Sequence, residues 1–507
     1  MTGSKQRIVH ALHALSTKQL RGIRRGIEKE SLRTSPDGSL ALTPHPQALG
    51  SALTHPHITT DFSESQLELI TAVHATVAGC LDELTRTHQF VYRSIGGEML
   101  WVSSMPCGLP ADETIPIGRY GTSNVGRAKS VYRMGLGHRY GRRMQMISGI
   151  HYNWSMPGLG TERYFQLIRN FRRHAFLLIY LFGASPAVCS SFVAERPHQL
   201  QPLVAHTLGL PHATSLRMGR LGYQSEAQAA LAVSYNSLQS YAASLRDALT
   251  RPYPPYEALG VRNAGGEYNQ LATTLLQIEN EFYGTIRPKR VIRPHERPLH
   301  ALRERGVEYV EVRCMDLDPF EPIGISAATV RFLDVFLVHC LLAGDAHDTP
   351  EEIAALGRNQ ERVSARGREP GLRLERAGQS VDLVEWAQQL LDEFDPIAAA
   401  LDALRGGDEH RSALRQARAA LADPRSLPSA RLLEAMTAQP GGGFVPFTCE
   451  RSVATRQALL DLPLPEEEAA EFRALSKASL QEQRALEAAT DTPFEAFRQQ
   501  YVSADHL

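Results

Sequence analysis

The sequence predicts an α+β protein in which a mainly antiparallel sheet precedes a helical C-terminal part. From about Leu20 to Ile325 the chain carries short alternating apolar and polar runs with many Gly and Pro residues. From about Ala327 onward it is rich in Ala, Leu, Arg and Glu with helical spacing. Strand and helix signals do not alternate in a regular βαβ rhythm, which favours an antiparallel sheet over a doubly wound one.

The periodicity places the main elements. Alternation predicts strands at Gly22–Arg33, Gln66–Ala72, Gln145–Ser155 and Val307–Cys314. Helical spacing predicts helices at Thr76–Ile95, Glu162–Phe182, Ser225–Leu249, Ala327–Leu342, Asp382–Leu404, Arg411–Ala422 and Glu466–Ala489. We expect residues 1–345 to form the functional unit and residues 346–507 to form a helical region packed on it.

The composition is that of an ordinary globular protein without a nucleic-acid partner. The net charge of the 507 residues is −1, and nearly all the positive charge is arginine, which suits fixed recognition of carboxylate or phosphate. A dedicated nucleic-acid binder usually shows a basic excess. The uncharged stretch Ala175–Ala194 has a continuously apolar part of only about nine residues, too short for a bilayer. It predicts a buried helix followed by a turn.

The cysteines and the N-terminus indicate a reducing compartment. The six cysteines are far apart and form no CxxC pair, so no disulfide framework or zinc cage is expected. The first twenty residues lack the apolar core of a secretory signal. We therefore expect a cytoplasmic protein, without a membrane partner, that is a monomer or a weak homo-oligomer.

Several carboxylates stand out on the predicted strands. Glu28 and Glu30 lie two residues apart and share one strand face, where they repel unless a cation or an arginine lies between them. Asp61 falls in a turn-like stretch, and Glu68 lies inside an apolar alternation, where an unpaired carboxylate is costly to bury. Each acid alone is also compatible with a solvated strand face.

Two further strands carry polar faces. Glu311 and Arg313 share a face, which suits a metal–phosphate site and equally suits a structural ion pair. His151 shares a face with Asn153, and a lone histidine is more often structural than a ligand. The neighbouring Gly149 allows another group to approach the backbone closely.

The nucleotide motifs of other folds are absent from the sequence. There is no GxxxxGK[ST], and the nearest segment, Gly121–Lys129, has Arg127 at the position of the phosphate-binding lysine. There is no HExxH and no GxSxG. Magnesium prefers oxygen ligands and bridges carboxylates to substrate phosphates, so acids on several strands predict a magnesium–nucleotide site. The cationic segment Ile286–Arg293 can neutralise phosphates, or it can be a solvated loop.

Several long runs together form a specific pattern: GIEKESLR, SALTHPHITTDFSESQLELIT, SMPCGLP, RYGTSNVGRAKSVYRMGLGHRYG, MQMISGIHYNWSMP, LQIENEFYGTIRPKR and VEYVEVRCMD. In this order, over roughly residues 8–345, they resemble the glutamate–cysteine ligases of the proteobacterial type. The resemblance implies a fold similar to glutamine synthetase, with a curved antiparallel sheet, outer helices, and metals and substrates on its concave face.

The resemblance also implies an activity and a set of site residues. The family uses ATP and Mg²⁺ to join the γ-carboxylate of L-glutamate to the amine of L-cysteine through a γ-glutamyl phosphate, the first step of glutathione synthesis. The implied magnesium ligands are Glu28, Glu30, Asp61, Glu68, His151 and Glu311. The implied substrate-binding residues are Phe62, Tyr132, Arg133, His151, Arg217, Tyr223, Tyr283 and Arg313. Glu311 and Arg313 are the implied catalytic pair.

Two alternatives remain open from the sequence. One is a related carboxylate–amine ligase with a different amine acceptor. The other is a binding protein that uses the cationic segment on nucleic acid, with structural acids; the neutral charge balance disfavours it.

Overall fold

The computed structural model describes residues 3–194, 196–222, 226–229, 231–293, 296–439 and 441–504. In chain order the strands are β1 Arg24–Thr34, β2 Ile58–Thr60, β3 Gln66–Ile70, β4 Met99–Leu100, β5 Ile150–Ser155, β6 Ala187–Cys189, β7 Gln201–Val204, β8 Thr207–Gly209, β9 Ile286–Lys289, β10 Tyr309–Met315, β11 Arg373–Arg376 and β12 Gln379–Asp382.

The helices dominate the second half of the chain. They are α1 Gly3–His13, α2 Thr17–Arg21, α3 Val77–Ser94, α4 Asn124–Tyr140, α5 Arg142–Gln145, α6 Thr161–Phe182, α7 Glu226–Ala229, α8 Leu238–Thr250, α9 Pro254–Leu259, α10 Pro298–Arg305, α11 Ala327–Leu342, α12 Pro350–Arg366, α13 Leu383–Arg405, α14 Glu409–Ala422, α15 Pro428–Ala438, α16 Phe444–Asp461, α17 Glu466–Ala488 and α18 Phe494–Val502. Short 3₁₀ helices span Gln47–Leu49, Asp112–Thr114, Ser190–Val193, Leu216–Met218, Glu279–Glu281 and Pro424–Ser426.

A seven-stranded antiparallel sheet forms the centre of the fold. Its strands lie in the order β2-β3-β1-β5-β10-β9, with β4 paired to the far end of β1. Smaller sheets are formed by β6, β8 and β7 and by the hairpin β11–β12. The α+β prediction, with an antiparallel sheet, outer helices and a helical C-terminal part, is therefore confirmed, and the hairpin is an addition that the sequence did not indicate.

One face of the central sheet is apolar and packs against helices. Ile27, Leu69, Tyr152 and Val310 point to this face and are fully buried. Helices α3 and α6 cover it, and α11 packs on both of these helices. The burial of this large apolar area, worth about 25 cal/mol per Å², holds the sheet in place and leaves the opposite face free for polar side chains.

Most predicted elements are confirmed, and two need correction. The strand prediction is wrong for residues 145–149, because Arg142–Gln145 forms a helical turn and the strand begins only at Ile150. The single helix predicted at Ser225–Leu249 is also wrong: the described part holds the short α7 and then α8, which begins at Leu238. The Ser237 hydroxyl accepts a hydrogen bond from the Ser240 amide and starts α8 there.

The apolar stretch at Ala175–Ala194 behaves as predicted. It forms the end of α6, which finishes at Phe182, and a turn into β6. Among the described residues, no helix has the length and apolar character needed to cross a membrane.

Candidate active site

A cavity of about 600 Å³ lies over the polar face of the central sheet. All six side chains predicted as metal ligands line it: Glu28, Glu30, Asp61, Glu68, His151 and Glu311. Five of the predicted substrate-binding side chains also line it: Phe62, Tyr132, Arg133, Tyr283 and Arg313. Residues separated by up to 285 positions are thus brought to one place by the sheet.

Strand register explains why the acids meet. Glu30 of β1 is the cross-strand partner of Glu68 on β3, and Glu28 is the partner of His151 on β5. Directly opposed side chains on an antiparallel pair lie about 4.5–5.5 Å apart at Cβ. Asp61 follows β2, and its amide donates to the Gln66 carbonyl at 3.0 Å, which closes the turn into β3. The antiparallel pairing therefore brings acids that alternate along separate strands into one cluster on one face of the sheet.

Glu28, His151 and Glu311 form the tightest group in the cluster, with one ligand atom of each within 4.8 Å of the others. His151 Nδ1 lies 3.2 Å from a Glu28 oxygen, and the Asn153 amide donates to the other Glu28 oxygen at 2.8 Å. The buried His151 Nε2 has no hydrogen-bond partner among the described residues. It lies 3.8 Å from a Glu30 oxygen, so a ring nitrogen and several carboxylate oxygens face the same space.

Crowding raises the pKa of two of these acids. Burial and the nearby Asp61 carboxylate raise the pKa of Glu30 to about 8, although the Gly149 amide donates to it at 2.7 Å. Burial, together with Glu28 and Asp61, raises the pKa of Glu68 well above its ordinary value. Carboxylates that are forced together in this way gain from a divalent cation between them.

Basic side chains hold Glu311 in its charged form. The Lys289 ammonium lies 3.1 Å from one Glu311 oxygen, and the Arg313 guanidinium donates to the other at 2.9 Å. Burial opposes ionisation, but Lys289, Arg313 and His151 together hold the pKa of Glu311 well below its ordinary value. Burial is also the largest influence on the pKa of Glu28 and raises it, but the hydrogen bond and charge of His151 together with the charge of Lys289 lower this pKa below its ordinary value.

The cations of the segment Ile286–Arg293 are divided between the cavity and the end of α10. Arg287, Lys289 and Arg293 line the cavity. Arg290 instead donates to the carbonyls of Arg305 and Gly306 at the end of α10. Only part of the predicted phosphate-neutralising run therefore faces the site.

Aromatic side chains and one glutamine form a side pocket. Phe62 is fully buried, and the Gln145 amide donates to the Tyr283 hydroxyl at 2.9 Å. Burial raises the pKa of Tyr132 well above its ordinary value, which keeps its phenol neutral. These groups offer an apolar wall with few charges, suited to a small uncharged side chain.

Two predicted substrate-binding residues differ from the rest. Tyr223 lies outside the described residues. Arg217 does not line the cavity; it lies behind it, where its guanidinium donates to the Arg313 carbonyl at 2.9 Å. The same guanidinium packs so closely on Gly149 that a Cβ there would collide with it. The sequence indicated this close approach at Gly149 but not which group makes it.

Some cavity residues were not singled out from the sequence. Lys129 of α4, Glu279, Ile292 and, from the last helix, Phe497 and Tyr501 line the cavity. Arg297 binds Glu279 through two guanidinium nitrogens, at 2.7 and 3.0 Å, and donates to the Tyr501 carbonyl. For α18 the sequence carried no motif that connects it with the sheet.

Comparison with known proteins decides the family. The family model described as glutamate-cysteine ligase matches residues 9–363. The chain belongs to the glutamate–cysteine ligase family. A glutamate–cysteine ligase of Azotobacter vinelandii is 50% identical over 506 residues, covering 96% of this chain and 95% of its own. The corresponding ligase of Alcanivorax borkumensis is 46% identical, with 98% and 99% covered.

Two solved structures share the fold of this chain. The glutamate–cysteine ligase of Francisella tularensis, solved in complex with AMP, is 35% identical with a TM-score of 0.91, covering 96% of this chain and 98% of its own. A bifunctional glutathione synthetase of Pasteurella multocida, at 24% identity, has a TM-score of 0.71 and covers 93% of this chain and 58% of its own; it shows the fold alone.

Proposed function

We propose that this glutamate–cysteine ligase family member joins the γ-carboxylate of L-glutamate to the amine of L-cysteine with the hydrolysis of ATP. The products are γ-glutamylcysteine, ADP and phosphate, which makes the reaction the first step of glutathione synthesis. The observation that carries the proposal is the convergence of Glu28, Glu30, Asp61, Glu68, His151 and Glu311 on one cavity in a chain of this family.

The cavity residues fit a magnesium site. Buried carboxylates with raised pKa values, and a buried His151 nitrogen without a partner in the described part of the chain, are an arrangement that a hard divalent cation stabilises. Glu28, His151 and Glu311 would hold one ion, with Glu30, Asp61 and Glu68 beside them. Bound Mg²⁺ supplies charge neutralisation for the nucleotide phosphates.

The chain's own cations bind and orient the phosphates. Arg287, Lys289 and Arg313 lie beside Glu311 and face the cavity. Glutamate γ-carboxylate attacks the terminal phosphoryl group of ATP, the bond to ADP breaks, and γ-glutamyl phosphate forms. Charge that builds up on the phosphoryl oxygens is offset by these fixed donors. In this scheme Glu311 positions Arg313, and Arg313 contacts the transferring group.

The aromatic side pocket receives cysteine. Phe62, Tyr132 and Tyr283 surround the thiol side chain, and Arg133 binds the cysteine carboxylate. The cysteine amine attacks the acyl phosphate carbon, phosphate leaves with the electron pair of the C–O bond, and the amine loses a proton. Holding both amino acids next to ATP lowers the barrier by roughly 7–11 kcal/mol, and the closed walls keep water from the acyl phosphate.

We further propose how the whole chain is used. Residues 1–345 form the catalytic unit, and the helical region 346–507 packs on it and supplies Phe497 and Tyr501 to the cavity wall. The enzyme acts in the cytoplasm as a monomer or a weak homo-oligomer, with small-molecule substrates and with neither nucleic acid nor membrane as a partner.

A panel of amines tests the proposal. Phosphate release is measured with ATP, Mg²⁺, glutamate and either cysteine, 2-aminobutyrate, alanine or glycine, and the product is identified by mass spectrometry. We expect cysteine to give the highest kcat/KM and γ-glutamylcysteine as the product. If phosphate release is no faster with cysteine than with alanine, the enzyme is a ligase with another amine acceptor and the proposal is contradicted.

A further inference from the structure

A second group of metal-binding side chains lies in the helical layer on the other side of the sheet. His174 belongs to α6, and His339 and Cys340 belong to α11. One ligand atom of each lies within 4.8 Å of the other two. None of the three lines the active-site cavity. The cluster is therefore separate from the carboxylate site.

One ring nitrogen of each histidine in this cluster is buried without a hydrogen-bond partner among the described residues. The His339 side chain is 0% exposed, and its Nδ1 has no hydrogen-bond partner among the described residues. The buried Nδ1 of His174 is likewise unpartnered within the same part of the chain. The two rings lie 5.4 Å apart between centroids. A buried nitrogen without a partner is costly, so both atoms call for a ligand.

A carboxylate holds one ring nitrogen of His339. The His339 Nε2 lies 2.7 Å from a Glu393 oxygen on α13, and the Ser4 hydroxyl donates to the other oxygen of that carboxylate. This contact fixes the proton on Nε2 and leaves the Nδ1 lone pair free. Metal-binding histidines characteristically donate their second ring nitrogen to a carboxylate in this way.

We propose that His174, His339 and Cys340 bind a zinc ion, with Glu393 as the positioning carboxylate. Two imidazoles and one thiolate are ligands that Zn²⁺ prefers. On binding, the Cys340 thiol releases its proton to solvent, and the thiolate and the Glu393 carboxylate together balance the two charges of the ion. Zn–N bonds of about 2.0–2.1 Å and a Zn–S bond of about 2.3 Å require the ligand atoms to close to roughly 3.5 Å on binding.

The site would tie three helices together behind the catalytic sheet. His174 is the partly exposed member and gives the ion a route from solvent, whereas Trp386 and Phe394 cover the buried side. Because α6 packs on β9 and β10, which carry the active-site cations and Glu311, the ion would stabilise the layer that supports them.

Cobalt substitution tests the proposal on the full-length protein. Co²⁺ is titrated in excess Mg²⁺, and the thiolate-to-cobalt charge-transfer absorption is measured, because no cysteine lines the active-site cavity. We expect one Co²⁺ per chain with this absorption, displaced by Zn²⁺ and lost in Cys340→Ser. Cys449→Ser, a half-buried cysteine on α16, is the matched control and should keep it. Absence of the absorption in the unaltered folded chain, or its persistence in Cys340→Ser, overturns the proposal.

Two further variants keep the test decisive if Cys340→Ser does not fold. His174→Gln changes a partly exposed ligand and should abolish tight Co²⁺ binding, while circular dichroism confirms the fold. Glu393→Gln should weaken binding by roughly 10–100-fold, as expected for the loss of an orienting carboxylate. Unchanged affinity in His174→Gln contradicts the site. The cobalt absorption and the Co²⁺ affinity do not depend on ligase activity. Failure of the zinc proposal can therefore be distinguished from failure of the proposed function.

Discussion

Glu28 and His151 face each other across two antiparallel strands, with a Glu28 oxygen 3.2 Å from His151 Nδ1. This contact turns the second ring nitrogen, Nε2, toward Glu30 and the cavity. A carboxylate on one nitrogen, with no hydrogen-bond partner among the described residues on the other, is the arrangement expected of a metal-binding histidine. The cavity chemistry proposed above depends on this pair and on Glu311.

Replacement of Glu28 or Glu311 should lower the activity without unfolding the chain. We expect Glu28→Gln and Glu311→Gln to lower kcat by roughly 100-fold or more, the scale seen when one preorganised electrostatic group is lost, and to raise the Mg²⁺ concentration needed for half-maximal activity. Glu308→Gln, an exposed acid just before β10, is the matched control. Near-normal activity of either variant at limiting Mg²⁺ contradicts the assignment.

The side pocket should tolerate replacement of the thiol by a methyl group. An apolar pocket discriminates a methylene-sized change by only about 1–3 kcal/mol, so 2-aminobutyrate should be a usable acceptor. Steady-state kinetics with saturating glutamate and ATP measure this. No turnover with 2-aminobutyrate at saturating concentration would exclude an apolar thiol pocket formed by Phe62, Tyr132 and Tyr283.

The last helix should contribute to nucleotide binding. Phe497, Leu271 and Ile278 belong to one apolar cluster and form an apolar end of the cavity. With phosphates at the acids, the adenine base would reach the apolar end. We expect Phe497→Ser to raise KM for ATP several-fold and to leave KM for glutamate nearly unchanged. Gln500→Ala, on the exposed side of the same helix, is the control, and equal KM values for ATP in both variants would refute this placement.

Acid should destabilise the chain through His55. The His55 Nδ1 accepts hydrogen bonds from the amides of His57 and Ile58 at 3.1 and 3.0 Å, and burial lowers its pKa to about 4. Since the unfolded chain binds this proton near pH 6.5, the stability that His55 contributes is present above that pH and is lost as the pH falls toward about 4.

Replacement of His55 isolates its share of the acid sensitivity. The His55→Asn variant keeps an acceptor oxygen but does not titrate. Between pH 6.5 and 4, the free energy of unfolding of this variant should therefore decrease by about 1–3 kcal/mol less than that of the unaltered chain. Urea unfolding at several pH values measures the difference. His13→Asn, at an exposed position, serves as the comparison. An identical pH dependence for His55→Asn and the unaltered chain would show that His55 does not contribute.

Local patterns in the sequence were sufficient for the strands that carry Glu28, Glu30, Glu68 and Glu311. Glu28 with Glu30, and Glu311 with Arg313, share faces because the side-chain period of a strand is fixed, and the structure keeps that alternation. The same alternation within β9 explains why Arg287 and Lys289 both face the cavity. The register between strands makes Glu30 the neighbour of Glu68. This register depends on how the two strands pair in the folded chain, and the sequence of either strand alone does not determine it.

Long-range packing accounts for what the sequence did not predict. Phe497 reaches the cavity only because α18 packs on α4, and no local pattern connects residues so far apart. Arg217 approaches Gly149 from a separate 3₁₀ helix, so no local sequence pattern predicted its position behind the cavity. His174 and His339 come together through the packing of α6 on α11, without the short spacing that marks most zinc sites.

Direct cation binding tests the central claim that the carboxylate cluster is the magnesium site. Mn²⁺, a hard cation that prefers oxygen ligands, can be titrated into the chain with an ATP analogue and its free concentration followed by electron paramagnetic resonance. We predict saturable binding that Mg²⁺ displaces and that Glu28→Gln and Glu311→Gln weaken by at least roughly tenfold, whereas Glu308→Gln leaves it unchanged. Equal Mn²⁺ affinity in all four proteins would contradict the account.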